Sequence, residues 1–123
     1  MNLRRLAFGL LLAALSAPAF GQVVINEIFY HAPEDLRDLA WVELFNNSDQ
    51  AVDLSGWRLH KGIQYRFPAG STIPSRGFLV LCQNRERFQE FYSVPVAGLF
   101  ENSLKKSGGR VELRNAEDRM VDS

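Results

Sequence analysis

The sequence of 123 residues contains very little of the side-chain chemistry that builds disulfides and zinc sites. Cysteine occurs once, as Cys82, so no disulfide can form within the chain. Histidine occurs twice, as His31 and His60, and these two lack the spacing of three or four positions that makes a zinc site recognisable. No zinc site is therefore predicted, and the fold must be stabilised by packing.

Neither sign of charge is in excess. The chain has 14 basic and 14 acidic residues, and loss of Arg4 and Arg5 with a cleaved leader would leave 12 against 14, a net charge of −2. Nucleic acids and anionic membranes attract strongly basic surfaces, so neither is predicted as a partner. Arg58, Lys61 and Arg66 could gather on one hairpin and attract phosphate, but three charges on a polar strand face are more typical of a solvated surface.

No apolar run is long enough to cross a membrane, which takes roughly 20 residues. The run at residues 6–17 follows a basic start and precedes small residues at Ala17, Ala19 and Gly21, the pattern of a secretory signal peptide. We predict cleavage after Gly21, a signal peptide over residues 1–21, and one domain over residues 22–123. The mature protein would be secreted or periplasmic without a membrane anchor; an uncleaved anchor is the alternative.

The segment at residues 41–47, WVELFNN, organises the predicted fold. Alternate side chains of a strand share a face, which places Val42 and Leu44 on a buried side and Trp41, Glu43 and Phe45 on the other. The polar residues at 46–49 favour a turn, and the chain is expected to return as a hairpin through residues 52–54. Gly56 then precedes Trp57, whose ring is predicted to plug the core.

The remaining segments predict further short strands. Residues 23–30 are expected to form a strand buried on both faces, residues 57–67 a second hairpin, and residues 78–82 a central strand. Asn84 is expected to cap a helix over residues 85–92 whose Phe88, Phe91 and Tyr92 cover a sheet edge. Many short strands with almost no helix favour an all-β antiparallel sandwich.

The last predicted strands are at residues 111–114 and 119–123, separated by a turn at 115–118. The final strand is short, so we expect it to be truncated and the domain to be C-terminally incomplete. Residues 111–114 would then keep unpaired backbone groups and form an edge prone to self-association.

Several of these segments together resemble the lamin tail domain family. They are NEI at residues 26–28, WVEL at 41–44, DLSGW at 53–57 and GFLVL at 77–81, and the resemblance extends from about residue 23 to the end. Ala40 departs from the acidic residue often found before the aromatic position. The resemblance implies an immunoglobulin-like sandwich of the kind found in exported bacterial proteins, beside hydrolase, nuclease or spore-coat-kinase-like domains. The nuclear filament role does not follow, because this chain has no coiled-coil heptads.

Catalytic, cofactor-binding and metal-binding residues are not predicted. Glu27 and Glu43 lie on strands that could be neighbours and could hold calcium with Asp53, but solvated or hydrogen-bonded carboxylates are the simpler interpretation. Cys82 ends an apolar strand close to a helix start, and packing is favoured over nucleophilic reactivity.

The resemblance, together with the lack of recognisable catalytic groups, implies a non-catalytic accessory module that binds or positions a protein or polysaccharide partner. One alternative is the N-terminal portion of a larger secreted enzyme whose catalytic residues lie beyond residue 123. Another is a polysaccharide-binding module in which Trp41, Phe45 and Trp57 stack on sugars.

Overall fold

The computed structural model describes residues 22–29, 38–102 and 110–123. The predicted signal peptide at 1–21, His31 and the glycine-rich turn at 107–109 lie outside the described residues. The described strands are β1 (Val23–Phe29), β2 (Trp41–Asn46), β3 (Val52–Asp53), β4 (Arg58–Lys61), β5 (Ile63–Arg66), β6 (Thr72–Ile73), β7 (Phe78–Cys82), β8 (Gly98–Leu99), β9 (Glu101–Asn102), β10 (Val111–Arg114) and β11 (Met120–Asp122), with helix α1 (Arg85–Phe91) between β7 and β8.

The strands form two main sheets. Sheet one has the order β1, β2, β7, β8, and sheet two has the order β11, β10, β4, β5, β9, while β3 and β6 pair separately. Within the described ranges every strand pair is antiparallel except β7 with β8. The predicted all-β antiparallel sandwich is confirmed.

Alternate side chains of both sheets fill the core between them. Val42 and Leu44 of β2 are fully buried, whereas Trp41 and Glu43 of the same strand are only half-buried on the outer side, as the alternation predicts. In sheet two, Leu59 lies opposite Leu113, and both are buried. This burial of aliphatic side chains is the main favourable contribution to folding.

The predicted hairpin between residues 41–46 and 52–54 does not form. The strand β2 lies between β1 and β7, and β3 pairs with β6. The reason is Asn46, which is fully buried and donates from Nδ2 to the carbonyl oxygens of Gln50, Ile73 and Pro74. Because one amide joins the end of β2 to the β6–β7 connection, the chain leaves the sheet instead of turning back beside β2.

The strand β1 is an edge strand, which corrects the prediction that it is buried on both faces. Asn26 and Glu27 are exposed, and the pairing with β2 shifts by one residue between Ile25 and Glu27, a β-bulge. Beside this bulge, the backbone N–H of Ile25 donates to Oδ2 of Asp122 at 2.8 Å. A side chain of β11 therefore links the edge of sheet two to the edge of sheet one.

We expect Asp122→Ala to lower the free energy of unfolding by about 1–3 kcal/mol, because the partly buried N–H of Ile25 would lose its acceptor. Asp122→Asn retains an acceptor oxygen, so its loss in the free energy of unfolding should be less than half that of Asp122→Ala. Urea denaturation of the two variants and the native protein measures both values. An equal loss in the two variants would show that the hydrogen bond is not the stabilising feature.

The strand β10 is paired on both sides over part of its length, which corrects the expectation of unpaired backbone groups throughout residues 111–114. It pairs with β4 along residues 111–114 on one side and with β11 at Leu113 and Arg114 on the other. The predicted turn between β10 and β11 does form, and Oδ1 of Asn115 accepts hydrogen bonds from the backbone of Glu117 and Arg119. The second hairpin, β4 with β5, and the interior position of β7 are also confirmed.

Two aromatic residues differ from expectation. Phe91 at the end of α1 is 52% exposed, so only Phe88 and Tyr92 of the predicted apolar face pack against the sheet. Trp57 packs against the core but is only half-buried, and it follows a turn in which Gly56 has φ +75°. Trp57→Ala should therefore lower the free energy of unfolding by less than the removal of a fully buried ring would.

In the part of the chain that the structure describes, no helix has the length and apolar character needed to span a membrane.

Candidate functional site

The outer face of sheet one carries an unusual set of side chains. Trp41 lies opposite Phe29 of β1 and Cys82 of β7, and in the next row Glu43 lies opposite Glu27 and Val80. Because alternate residues share a face, these six side chains occupy the side away from the core. Sequence alternation predicted this orientation for Trp41 and Glu43.

The helix α1 covers one end of this face. Since β7 and β8 run parallel, the chain must cross over between them, and residues 83–97 form that crossover. Asn84 caps the helix by accepting a hydrogen bond from the backbone N–H of Arg87 at 3.1 Å, as predicted. Phe88 is buried against Val80 and Cys82, which form a second apolar cluster separate from the core.

A groove remains between α1, the segment after it and the carboxylates of β1 and β2. We call it the carboxylate groove, and its volume is about 310 Å³. It is lined by Glu27, Trp41, Glu43, Val80, Phe88, Tyr92 and Val94.

The aromatic wall of the groove is built around Trp41. Its ring stacks on Phe29 with centroids 6.1 Å apart and meets Tyr92 edge-on at 5.8 Å. The Trp41 Nε1 atom is buried and has no hydrogen-bond partner among the described residues. Buried indole N–H groups usually have a partner, so this donor is an exception among the described residues.

The acidic side of the groove consists of Glu27 and Glu43, which face each other across the β1–β2 pair. Asn26, the extra residue of the bulge, donates from Nδ2 to Oε1 of Glu43 at 2.7 Å. Neither carboxylate makes a salt bridge to any described residue. Like charges directly opposite each other destabilise a sheet, so a cation placed between these two would be favourable.

The described residues contain no group of three or more side chains suited to a metal ion. Asp53, the third ligand considered for calcium, is bonded elsewhere, because its Oδ1 accepts from the backbone N–H and the hydroxyl of Ser55. Those hydrogen bonds lower the pKa of Asp53. The carboxylates of β1 and β2 are thus brought together as the sequence suggested, but without Asp53.

Cys82 is fully buried beneath α1. Burial raises the pKa of its thiol, against the opposing influences of Arg85 and the Asn84 backbone. A thiol held in this way is mainly protonated near neutral pH, in agreement with a packing role.

The basic residues of the second hairpin are partly neutralised. Arg58 and Arg66 lie opposite each other, but Arg58 Nη2 forms a 2.7 Å salt bridge with Oδ1 of Asp118. The hydrogen bond from Arg58 lowers the pKa of Asp118. Sequence reasoning missed this partner because 60 positions separate the two residues, and only the β4–β10 pairing brings them together.

The three rings suggested as a sugar-binding platform do not form one. Trp57 packs against the core, whereas Trp41 and Phe45 lie on the outer face of β2. Phe45 instead pairs with Phe78 of β7, with centroids 4.7 Å apart, and Phe78 is 57% exposed.

Comparison with known proteins agrees with this architecture. The family model of the Lamin Tail Domain matches residues 16–123. A search of curated proteins found no match. The lamin tail domain is a non-catalytic, immunoglobulin-like domain, consistent with the two-sheet sandwich. This chain belongs to the lamin tail domain family.

Proposed function

We propose that this chain is a non-catalytic accessory module of an exported protein, and that it binds or positions a polypeptide partner through the carboxylate groove. The observation that supports this most strongly is the opposed pair Glu27 and Glu43, two carboxylates free of salt bridges to the described residues, in a groove that also has an aromatic wall. Groups that could form favourable interactions and do not form them within the described domain mark a surface suited to a ligand.

The construction of the groove supports the same function. Trp41, Glu43 and Val80 of the groove lie on β2 and β7, two interior strands of sheet one, and Phe88 is buried in α1. Side chains held by such elements keep their positions in the free protein, so little conformational entropy is lost on binding.

Export is part of the proposal and rests on the sequence of residues 1–21. The basic start, the short apolar run and the small residues before Gln22 support secretion to the periplasm or beyond. The partner would accordingly be an exported protein or an extracellular segment of one.

Site-specific photo-crosslinking in the producing cells tests this function. A photoreactive amino acid at Val94, an exposed residue lining the groove, is expected to give a discrete protein adduct in the exported fraction. Gln89, exposed on α1 and not lining the groove, is the matched control and should give none. Mass spectrometry of the adduct should also find the mature N-terminus near Gln22.

Equal labelling from Val94 and Gln89, or no adduct from either, would contradict a partner at the groove. An adduct confined to the cytoplasm and starting at Met1 would contradict export.

A further inference from the structure

We infer that the carboxylate groove recognises an arginine or lysine side chain of an extended peptide segment, held between Glu27 and Glu43 and against the Trp41 ring. This inference rests on the proposed function and specifies the chemistry of the partner.

The groove carries negative charge without a matching cation from the described residues. Glu27 and Glu43 are a directly opposed cross-strand pair, and neither has a salt bridge to a described residue. On α1, Arg87 is engaged elsewhere, because it contacts Asp38 at 3.3 Å and Glu90 at 2.6 Å. A cation supplied by a partner would relieve the repulsion between the carboxylates and form charge-assisted hydrogen bonds with both.

The groove also has an aromatic wall that suits a cation. Trp41 and Tyr92 line the same groove as the carboxylates, with ring centroids 5.8 Å apart. Aromatic rings attract ammonium and guanidinium groups, and indole does so most strongly. Carboxylates beside aromatic rings favour a cationic side chain over a purely apolar one, because an apolar side chain would leave the carboxylate charges without a partner.

The groove also offers apolar surface for the stem of a bound side chain. Val80 and Val94 line it, and the exposed Val94 can contact the methylene groups of an arginine or lysine. A polypeptide provides the cation and the aliphatic stem together.

The bulge of β1 prepares the site. The inserted residue, Asn26, donates to Oε1 of Glu43 and so fixes that carboxylate before any ligand arrives. The remaining oxygen of Glu43 and both oxygens of Glu27 have no partner among the hydrogen bonds of the described residues. The planar fork of a guanidinium matches such a set of acceptors.

The test uses the Trp41 indole N–H as an NMR reporter in the purified, ¹⁵N-labelled protein. Trp57, the other tryptophan, packs against the core and serves as an internal control. The probe is the peptide acetyl-Gly-Thr-Val-Arg-Val-Thr-Gly-amide, compared with the same peptide carrying neutral citrulline in place of arginine. We expect the arginine peptide to shift the Trp41 signal saturably, to leave Trp57 unmoved, and to bind about tenfold more tightly than the citrulline peptide.

Charge-removing variants then locate the cation. Glu27→Gln and Glu43→Gln keep the side-chain size and should each weaken binding of the arginine peptide about tenfold. Glu117→Gln, at an exposed carboxylate in the β10–β11 turn, should leave it unchanged. Thermal melts of the three variants confirm that each is folded before its affinity is compared.

Three results would overturn the inference. They are equal affinity for the arginine and citrulline peptides, a Trp41 shift produced by cellohexaose as readily as by the arginine peptide, and saturable calcium binding that depends on Glu27 and Glu43 while the peptide has no effect. Any of these together with a groove-specific adduct at Val94 would leave the proposed function standing, whereas the absence of that adduct would remove both.

Discussion

Asn46→Asp is expected to destabilise the protein by about 3 kcal/mol or more at neutral pH, a large part of the 5–15 kcal/mol that a domain of this size has in total. Asn46 is fully buried and its Nδ2 donates to three carbonyl oxygens, at 2.8, 3.2 and 3.1 Å. An ionised carboxylate in the same position would place a negative charge against those oxygens and donate nothing to them. Thermal and urea denaturation at pH 7 measures the loss.

The pH dependence of the stability of Asn46→Asp gives a second, independent test. The fold favours the protonated form of the introduced carboxyl, which can donate one hydrogen bond, so its pKa is raised above that of the unfolded chain. The folded state therefore binds more protons in the interval between the two values, and stability relative to the native protein should recover as the pH falls through it.

Asn47→Asp is the matched control, since it makes the same change at the next position, where the side chain is exposed. It should alter the melting temperature little at any pH. If both variants melted alike, the network around Asn46 would not hold the end of β2.

Leu44→Ala is expected to cost about 2–5 kcal/mol, because it removes a fully buried side chain and leaves a cavity in the sandwich. Leu44 lies on β2 between Ile25 of β1 and Leu79 of β7, on the face that packs against sheet two. Neighbours on both sides are fixed by strand pairing, so the cavity cannot readily collapse. Chemical denaturation gives the change directly.

Leu99→Ala deletes the same atoms from a side chain that is 49% exposed, on the short edge strand β8. The expected loss in the free energy of unfolding is below about 1 kcal/mol. Similar losses in the two variants would mean that the apolar core does not lie between the two sheets.

The alternation of apolar and other residues in β2 was sufficient to predict its two faces, because every second side chain of a strand lies on the same side of the sheet. The partner of the following segment could not be predicted in the same way. Of the predicted turn residues 46–49, Asn46 still belongs to β2 and residues 47–49 leave the strand. The path they take depends on the buried Asn46 amide, which bonds the carbonyls of Ile73 and Pro74. Contacts separated by nearly thirty positions leave no local signal.

The candidate site was also predicted only in part from the sequence. The neighbouring positions of Glu27 and Glu43 were anticipated from their strands, and the register confirms them. Phe88 and Tyr92 were expected to cover a sheet edge, whereas they pack beside Trp41 on the outer face of sheet one, because their spacing predicts an apolar helix face but not the surface beneath it. That surface is set by the parallel β7–β8 pair, which carries the crossover over the outer face of sheet one.

The apolar side chains form a core and a second cluster beneath α1. Trp57 packs against the core, and Trp41 packs against the second cluster. Fluorescence therefore reports on two regions of the molecule without any label. Loosening of the crossover would change the emission of Trp41 while that of Trp57 stayed constant, and global unfolding would change both. Single-tryptophan versions of the protein can thus distinguish a local opening of the groove from loss of the whole fold.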